Sequence, residues 1–330
     1  MAALLMRYCA KANRMPLSLF LLVFFLLLGA SPLRAETGSQ ETIDLQVRLS
    51  RAHASPGPID GLMGKNTDNA IKAFQRMHGL EPTGELDEET AAKLDSNEPT
   101  MLDYVITEQD VKGPFLDKIP DKMTEMAKLE RLSYTSPLEL LAEKFHMDQD
   151  LLQGLNPDAS FDSAGPTIRV TDLADLSLET PVKRVEVDRE RHTVDAYDAA
   201  DKLVAVYPAS IGSDETPSPE GEHEVTGIAE EPSYTYNPEK LDFEGLDTDK
   251  EFTIAPGPNN PVGLVWIALN APSYGIHGSP EPEKIRRQQS HGCVRLTNWD
   301  ALALARALKP RTSVNFVHSQ SAGESEDRRD

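Results

Sequence analysis

Three kinds of hydrophobic pattern follow one another along the chain. Residues 17–30 (LSLFLLVFFLLLGA) form an uncharged apolar run that basic residues precede. Further on, apolar side chains such as Ala70, Phe74 and Met77 recur every three or four positions, which predicts amphipathic helices. In the last part of the chain, apolar and polar residues alternate in short segments, which predicts strands. The order indicates a multidomain α+β protein with small helical units first and a β-rich unit last.

The apolar run near the start predicts a secretory signal peptide. Its fourteen residues fall short of the roughly 20 that a membrane-spanning helix needs. Ser31-Pro32 ends the run, and Leu33-Arg34-Ala35 offers a cleavage site, so we expect residues 1–35 to be removed. An uncleaved anchor is the alternative. With cleavage, we expect a secreted protein of the periplasm or cell envelope, with no stable membrane insertion.

Residues 36–97 are predicted to form a small domain of three helices. Leu45 and Leu49 share one helical face, residues 66–78 form a second helix, and a third helix ends at Leu94. The segment resembles the peptidoglycan-binding repeat domain in its turn residues as well as its apolar pattern. The resemblance rests on Leu45-Gln46, Asp60-Gly61, Gly64, Thr67, Ala70, Phe74-Gln75, Gly79-Leu80, Gly84 and Thr90. It implies binding to peptidoglycan; a helical bundle that acts only as a spacer is the alternative.

The middle of the chain is interpreted as a linker followed by a second small unit. Residues 98–131 are predicted to be a linker with one short helix near 121–129, and residues 132–174 a small α/β unit. Ser136 as cap and Pro137 as first helical residue begin one helix of that unit, and a second helix and a closing strand follow. The unit resembles a degenerate lysin motif, which implies glycan binding. A purely structural role is the other interpretation.

Residues 181–318 are predicted to be a β-rich, sandwich-like domain. Strand patterns are interrupted at short intervals by proline and glycine. One helix is expected after Thr297, with Asp300 completing a capping box and Pro310 ending the helix. Residues 319–330 form a polar tail. The acidic stretch 230–251 is predicted to be either a mobile flap or a plain insertion.

Charge and cysteine content narrow the function. The chain has 33 basic and 54 acidic residues and a net charge of −21, which excludes a nucleic-acid binder and disfavours an anionic membrane surface. Removing residues 1–35 takes away four basic side chains and Cys9, which leaves −25 and a single cysteine, Cys293. A lone thiol in an exported protein is buried and inert, joined to another molecule, or a reactive nucleophile.

Two motifs surround that cysteine with catalytic side-chain types. Tyr274-Gly275-Ile276-His277-Gly278 comes first, and Ser290-His291-Gly292-Cys293-Val294-Arg295 follows. A thiol is mostly protonated near neutral pH, so a nucleophilic cysteine needs a base, and two histidines are available. Alternation along an extended chain puts the side chains of positions 291, 293 and 295 on one face. The amides beside the cysteine are candidates for stabilising an oxyanion, and the arginine suits a substrate that carries carboxylates.

The two motifs resemble those of the L,D-transpeptidase family, in which a histidine, a spacer and Ser/Thr-His-Gly-Cys with an arginine occur in this order. The resemblance covers about the last 140 residues. It implies a transferase of peptidoglycan biosynthesis and cell shape that uses a cysteine nucleophile and no cofactor or metal. The implied catalytic residues are Cys293 as nucleophile, His277 as base and acid, His291 shaping the pocket and the Gly278 carbonyl orienting His277. The implied substrate-binding residues are Arg295, Ser290, Gly292 and Tyr274.

The reaction implied is acylation of the cysteine by a tetrapeptide stem with release of D-alanine. Transfer to an amine then gives a 3-3 crosslink or attaches a protein. The acceptor stays open among another stem, a lipoprotein lysine, a free D-amino acid and water; transfer to water would make the protein a carboxypeptidase or hydrolase. The residues also allow a catalytically inactive wall-binding protein, a zinc site of His277, His291 and Cys293, or a thiol buried in the core.

Overall fold

The structure is a computed structural model that describes most of the chain after the predicted signal peptide. The described residues are 38–213, 216–238, 248, 250–290 and 292–318. The predicted signal peptide, the polar tail and His291 lie outside them. Among the described residues, none of the helices is both long and apolar enough to cross a membrane.

The described residues contain eight α-helices, seven of them in the first half of the chain. They are α1 (Gln40–Arg51), α2 (Lys65–Met77), α3 (Glu88–Leu94), α4 (Glu108–Val111), α5 (Met123–Met126), α6 (Pro137–Lys144), α7 (Gln149–Leu155) and α8 (Asn298–Ala307). The described residues also contain twelve β-strands, ten of them from residue 184 onward. They are β1 (Met101–Val105), β2 (Thr167–Thr171), β3 (Arg184–Asp188), β4 (Thr193–Tyr197), β5 (Leu203–Pro208), β6 (Gly221–Glu230), β7 (Tyr234–Tyr236), β8 (Phe252–Ile254), β9 (Val265–Leu269), β10 (Gly275–His277), β11 (Val294–Arg295) and β12 (Ser313–Val317).

Two buried glutamines hold the three-helix unit α1–α3 together. Gln46 on α1 donates to Asp60 Oδ1 over 2.8 Å and accepts from the Gly61 amide over 2.9 Å. Gln75 on α2 accepts from the Gly84 amide over 2.9 Å. Each glutamine side chain thereby gives a hydrogen-bond partner to a backbone amide of a tight turn. Without it, that amide would be removed from water and left unpaired. The turn residues Asp60, Gly61 and Gly84, which carry part of the resemblance in this segment, are therefore hydrogen-bond partners of buried core side chains.

The segment interpreted as a linker contains a strand of the second unit. Strand β1 pairs antiparallel with β2, with Met101 opposite Thr171 and Val105 opposite Thr167. Helix α5 lies within the predicted 121–129, and α6 begins as predicted, with Ser136 accepting from the Glu139 amide. Residues 98–131 are therefore not only a connection, because their first strand completes a two-stranded sheet whose partner comes more than 60 residues later.

The β-rich unit is one eight-stranded sheet that curls around a single core. Its order is β11-β10-β9-β6-β12-β3-β4-β5. Just beyond β5, Ser210 forms an antiparallel bridge to Arg295 on β11, and Gly212 bridges to Ser290. The two edges of the sheet therefore meet, and the core inside contains side chains from both halves of the sheet and from α8. This closure brings β5 beside the segment that holds Cys293.

One detail of α8 differs from the capping box predicted for it. Thr297 Oγ1 accepts from the Asp300 amide over 3.2 Å, as expected. The Asp300 carboxylate, however, accepts from Ser55 Oγ over 2.9 Å, in the loop after α1. The carboxylate is buried between two parts of the chain, so it joins them instead of closing the cap.

The three units pack directly on one another. Ala54, beyond α1, forms a parallel bridge to Val206 on β5, and Ile59 forms one to Met147 of the second unit. Arg76 on α2 forms an ion pair with the fully buried Asp195 on β4 over 2.5 Å. Residues 38–318 are thus one compact body in which the helical units are fixed on the sheet.

Candidate active site

Strands β10 and β11 set the geometry of the site. They pair in parallel, with Ile276 opposite Val294 and His277 opposite Arg295. Ile276 and Val294 point into the core and are almost fully buried. Because side chains alternate along a strand, His277, Cys293 and Arg295 point to the other face of the sheet. The two sequence motifs therefore bring their histidine, thiol and guanidinium to one surface.

His277 is held in one tautomer and one orientation. Its ring is 5% exposed, and its Nδ1–H donates to the Gly278 carbonyl over 2.7 Å. The Trp266 indole on β9 stacks on the ring with 5.5 Å between centroids. The Nδ1 bond leaves the Nε2 lone pair available as a base. Burial lowers the pKa of His277 to about 4, with the Arg295 charge adding to the effect, so the imidazole is neutral near pH 7.

The Cys293 thiol lies half-buried at the same face and is not part of a disulfide. Its Sγ donates to the Ser273 carbonyl over 3.6 Å, and the Gly275 amide points at the sulfur. Burial raises the pKa of the thiol, while the Gly275 amide and the Arg295 charge oppose that rise. The surroundings of Cys293 are therefore polar, unlike those expected for a thiol sealed in the core.

The loop before Cys293 is fixed by two serine hydroxyls. Ser290 Oγ donates to the Cys293 carbonyl and accepts from the Gly292 amide. Ser218 Oγ donates to the Gly292 carbonyl over 2.6 Å and accepts from the Gly212 amide over 3.0 Å. Because the Gly292 amide already has a partner, it is not free to donate to an oxyanion. Ser290 is buried and holds the loop; a direct contact between Ser290 and substrate stays a prediction.

Gly292 is required by both its backbone and its neighbour. Its φ is +112°, a backbone conformation that glycine adopts easily and that is strained for residues with a Cβ. A Cβ at this position would also lie only 2.7 Å from Cε1 of Tyr274. The Tyr274 ring thus covers the loop at Gly292. Both residues lie beside the Cys293 segment; their contact with substrate stays a prediction.

Arg295 is anchored on one side and open on the other. Its Nη2 donates to the carbonyls of Gln288 and Gln289. Its Nε is buried and has no hydrogen-bond partner among the residues that the structure describes. Two backbone acceptors fix the guanidinium, so part of its donor fork is available for a carboxylate at the face shared with Cys293.

Asn298, which the sequence analysis missed, supports the His277 segment from behind. Asn298 Oδ1 accepts from the Leu264 amide over 2.9 Å, and a Cβ on Gly278 would lie 2.2 Å from that oxygen. Asn298 Nδ2 donates to the Pro258 carbonyl over 3.2 Å and to the Glu143 carboxylate on α6 over 3.1 Å. Burial raises the pKa of Glu143 to about 7. Polar contacts thus fix Asn298 between the second unit and the 258–264 loop, and Asn298 packs against Gly278, whose carbonyl orients His277.

Tyr234 on β7 is a second residue at the site that no motif indicated. Its pKa is raised to about 12, first by burial and then by the neighbouring Cys293. Strand β7 lies within the acidic stretch 230–251, part of which lies outside the described residues, and pairs antiparallel with β8 just beyond that stretch. His291 lies outside the described residues as well. Among the described residues, no group of three or more His, Cys, Asp or Glu side chains is arranged to hold a metal ion.

Comparisons with known proteins agree with the motifs. Residues 182–316 match the family model described as the L,D-transpeptidase catalytic domain, and residues 38–94 match the one described as a peptidoglycan binding domain. A Bacillus licheniformis protein named as the L,D-transpeptidase YkuD is 28% identical over 182 residues, which are 54% of this chain and 93% of that protein. The Bacillus subtilis protein YqjB, also named as an L,D-transpeptidase, is 32% identical over 118 residues, 34% of this chain and 59% of that protein.

Among solved structures, the crystal structure of the L,D-transpeptidase from Xylanimonas cellulosilytica aligns with a TM-score of 0.37 and 17% identity, over 85% of this chain and 95% of that one. The lysin-motif resemblance of residues 132–174 has no counterpart among the family matches at 182–316 and 38–94 and stays a prediction. Residues 182–316 are therefore an L,D-transpeptidase catalytic domain, and residues 38–94 are a peptidoglycan-binding domain.

Proposed function

We propose that the protein is a peptidoglycan L,D-transpeptidase of the cell envelope, with Cys293 as the nucleophile and His277 as the general base and acid. The observation that carries the proposal is the pairing of β10 with β11. It puts the thiol, the imidazole and the Arg295 guanidinium on one face, with Nδ1 of His277 engaged by Gly278 and Nε2 available. A nucleophile, a base held by a third group and a fixed cation are what acyl transfer needs.

In the first step, His277 Nε2 takes the thiol proton while Cys293 Sγ attacks the carbonyl carbon after the third residue of a tetrapeptide stem. The carbon–sulfur bond forms, and the carbonyl oxygen becomes an oxyanion. We assign its stabilisation to the Cys293 amide, since the Gly292 amide is already bonded to Ser290. The carbon–nitrogen bond then breaks, the imidazolium gives its proton to the leaving nitrogen, and D-alanine departs from a thioester.

In the second step, an acceptor amine attacks the thioester carbon and loses a proton to His277 Nε2. The carbon–sulfur bond breaks, the sulfur regains that proton from the imidazolium, and a new amide links the two stems. Arg295 binds a carboxylate of the donor stem and keeps the carbonyl beside the sulfur. The acceptor is the side-chain amine of another stem, which gives a 3-3 crosslink. Attachment to a lipoprotein lysine would use the same amine chemistry.

The test is an analysis of muropeptides after incubation of the purified protein with sacculi rich in tetrapeptide stems. We expect crosslinked dimers whose mass shows the loss of one D-alanine. Cys293→Ala and His277→Ala abolish these dimers, whereas His223→Ala, a histidine on β6 that bonds to Asn270 and Glu220, leaves them intact. No dimers with the unchanged protein, or unchanged dimers with Cys293→Ala, would refute the proposal. Release of tripeptide stems alone would instead show a carboxypeptidase.

A carbapenem should acylate the same sulfur, because its strained ring offers a carbonyl to the nucleophile. Mass spectrometry of the digested protein is expected to show the added mass on the peptide that contains Cys293. An adduct on any other peptide, or no adduct, contradicts the assignment of the nucleophile.

A further inference from the structure

A cavity whose lining does not include Cys293 lies between the helical unit α1–α3 and the sheet. It has a volume of about 640 Å³. Phe74 on α2, Leu94 on α3 and Leu203 at the start of β5 form apolar parts of its wall. The segment between β2 and β3 closes one side through Leu178 and Glu179. The peptidoglycan-binding domain and the catalytic domain therefore build this cavity together.

The charges at the cavity are divided between paired and unpaired groups. Arg48 forms an ion pair with Asp95 over 2.9 Å, and Arg51 forms one with Asp172 over 3.6 Å. The exposed side chain of Lys93, on α3, and that of Lys202, in the turn between β4 and β5, have no ion pair or hydrogen bond within the described part of the chain. Because Glu98 and Glu179 also line the cavity, it presents charges of both signs.

The two lysines, which come from different domains, act on the same histidine. His78, just after α2, stacks against Phe74 with 4.2 Å between ring centroids. His78, Lys93 and Lys202 all line the cavity, and the charges of the two lysines add to burial in lowering the pKa of His78. Three basic side chains thus converge on one side of the cavity, above its apolar wall.

We propose that this cavity binds a stem peptide of peptidoglycan, with Lys93, Lys202 and His78 contacting its carboxylates. The choice of polymer rests on the proposed function. Carboxylates are the anions of a stem peptide, and its alanine methyl groups suit the apolar wall formed by Phe74, Leu94 and Leu203. Glu98 and Glu179, which also line the cavity, suit an ammonium group on the same peptide. A peptide carrying both charges therefore fits better than a simple anion.

The position of the cavity gives this binding a use in the reaction. Strand β5 and the two residues after it lead from Leu203 at the cavity to Ser210 beside Arg295. These seven residue steps span about 23 Å at roughly 3.3 Å per step. A strand of polymer bound at the cavity through one stem keeps its other stems close to Cys293. Such tethering raises the local concentration of substrate without changing the chemistry at the thiol.

The experiment measures binding of a purified disaccharide-tetrapeptide to the full protein whose Cys293 has been alkylated with iodoacetamide, so that the thiol site is blocked. We expect Lys93→Gln and Lys202→Gln each to weaken binding about three-fold, and the double variant about ten-fold, in line with exposed charge pairs. Raising the salt concentration should weaken binding to the unchanged protein more than to the double variant. Lys65→Gln, at the exposed first residue of α2 and away from the cavity, is the matched control.

Unchanged binding by the double variant, equal weakening by Lys65→Gln, or no measurable binding at millimolar peptide would each overturn the proposal. Circular dichroism of the variants shows whether the fold is kept; both lysines are exposed, so we expect no change. Because the assay uses a blocked thiol, it is independent of turnover. Binding that depends on the lysines in a protein that forms no crosslinks would refute the proposed function and leave this inference standing.

Discussion

Replacing Asn298 by alanine tests whether polar contacts behind the site hold the imidazole of His277. The Asn298 side chain is 1% exposed and joins three segments, through the Leu264 amide, the Pro258 carbonyl and the Glu143 carboxylate. It also lies against Gly278, whose carbonyl fixes the histidine tautomer. Asn298→Ala keeps the backbone and the thiol but removes every one of these side-chain contacts.

The size of the effect follows from the groups left without a partner. A buried donor or acceptor that loses its partner costs about 1–3 kcal/mol. Leu264 and Pro258 each lose one bond, and Glu143 keeps its bond to the Tyr134 hydroxyl over 3.0 Å. We therefore expect the free energy of unfolding to fall by about 3 kcal/mol, which lowers Tm by about 6–12 °C for a protein of this size.

The assay combines thermal unfolding with steady-state kinetics on a soluble tetrapeptide donor, well below the lowered Tm. A looser Gly278 carbonyl lets the imidazole rotate, so we expect kcat to fall about ten-fold while KM stays nearly constant, since misplacing a catalytic group costs rate more than binding. Asn315→Ala, on β12, removes only one 3.2 Å bond from Ser313 and is the control. A normal kcat in a destabilised Asn298→Ala protein would refute the positioning role.

Three further outcomes are expected from other buried charges. Iodoacetamide should modify Cys293 slowly at pH 7 and faster as pH rises through the elevated pKa of the thiol; rapid modification at pH 6 would contradict a neutral thiol. Burial raises the pKa of Asp300 to about 7, so the folded protein holds a proton that the unfolded chain releases near pH 4. The free energy of unfolding of the unchanged protein therefore falls as pH rises from 4 to 7. Denaturant titrations at pH 5 and pH 8 measure this loss of stability, and we expect the loss to be about 2–3 kcal/mol smaller in Asp300→Asn than in the unchanged protein. Arg76→Ala leaves the buried Asp195 carboxylate with only a 3.3 Å contact to Arg191. We expect the free energy of unfolding, measured with denaturant, to fall by about 2–3 kcal/mol. The control Arg306→Ala removes an exposed ion pair and should lower it by less than about 0.5 kcal/mol.

Local sequence signals predicted most helices and strands because the signals and the structures they specify occupy the same few residues. Ser136 and Pro137 begin α6 at the predicted position, and apolar spacing located α2. The sequence did not predict strand β1. This segment is short, its Val105 is exposed, and it is a strand only because it pairs with β2, more than 60 residues later. The carboxylate of Asp300 was misassigned for the same reason, since its partner Ser55 is 245 residues away.

The residues of the candidate site also fall into two groups: those that short motifs could reveal and those that depend on contacts between distant parts of the chain. His277, Cys293 and Arg295 could be found from sequence because they lie in two short motifs on neighbouring strands. Ser218 could not, since it meets Gly292 only through closure of the sheet edges, 74 residues apart in the chain. Asn298 stands two residues beyond Leu296, but its partners on α6 and in the 258–264 loop are set by packing between units.

The electrostatics of the resting site restrict how acylation can proceed. Burial lowers the pKa of His277 to about 4 and raises that of the Cys293 thiol. Moving the thiol proton to the imidazole before attack would therefore be uphill, because burial favours the neutral form of both groups. A preformed thiolate–imidazolium pair is a minor species in the free protein. In the proposed reaction, proton transfer accordingly accompanies formation of the carbon–sulfur bond. The oxyanion and the substrate carboxylate proposed at Arg295 then supply the negative charge that favours the imidazolium. The low basicity of His277 then becomes useful in the same step, because an acidic imidazolium protonates the departing amine readily.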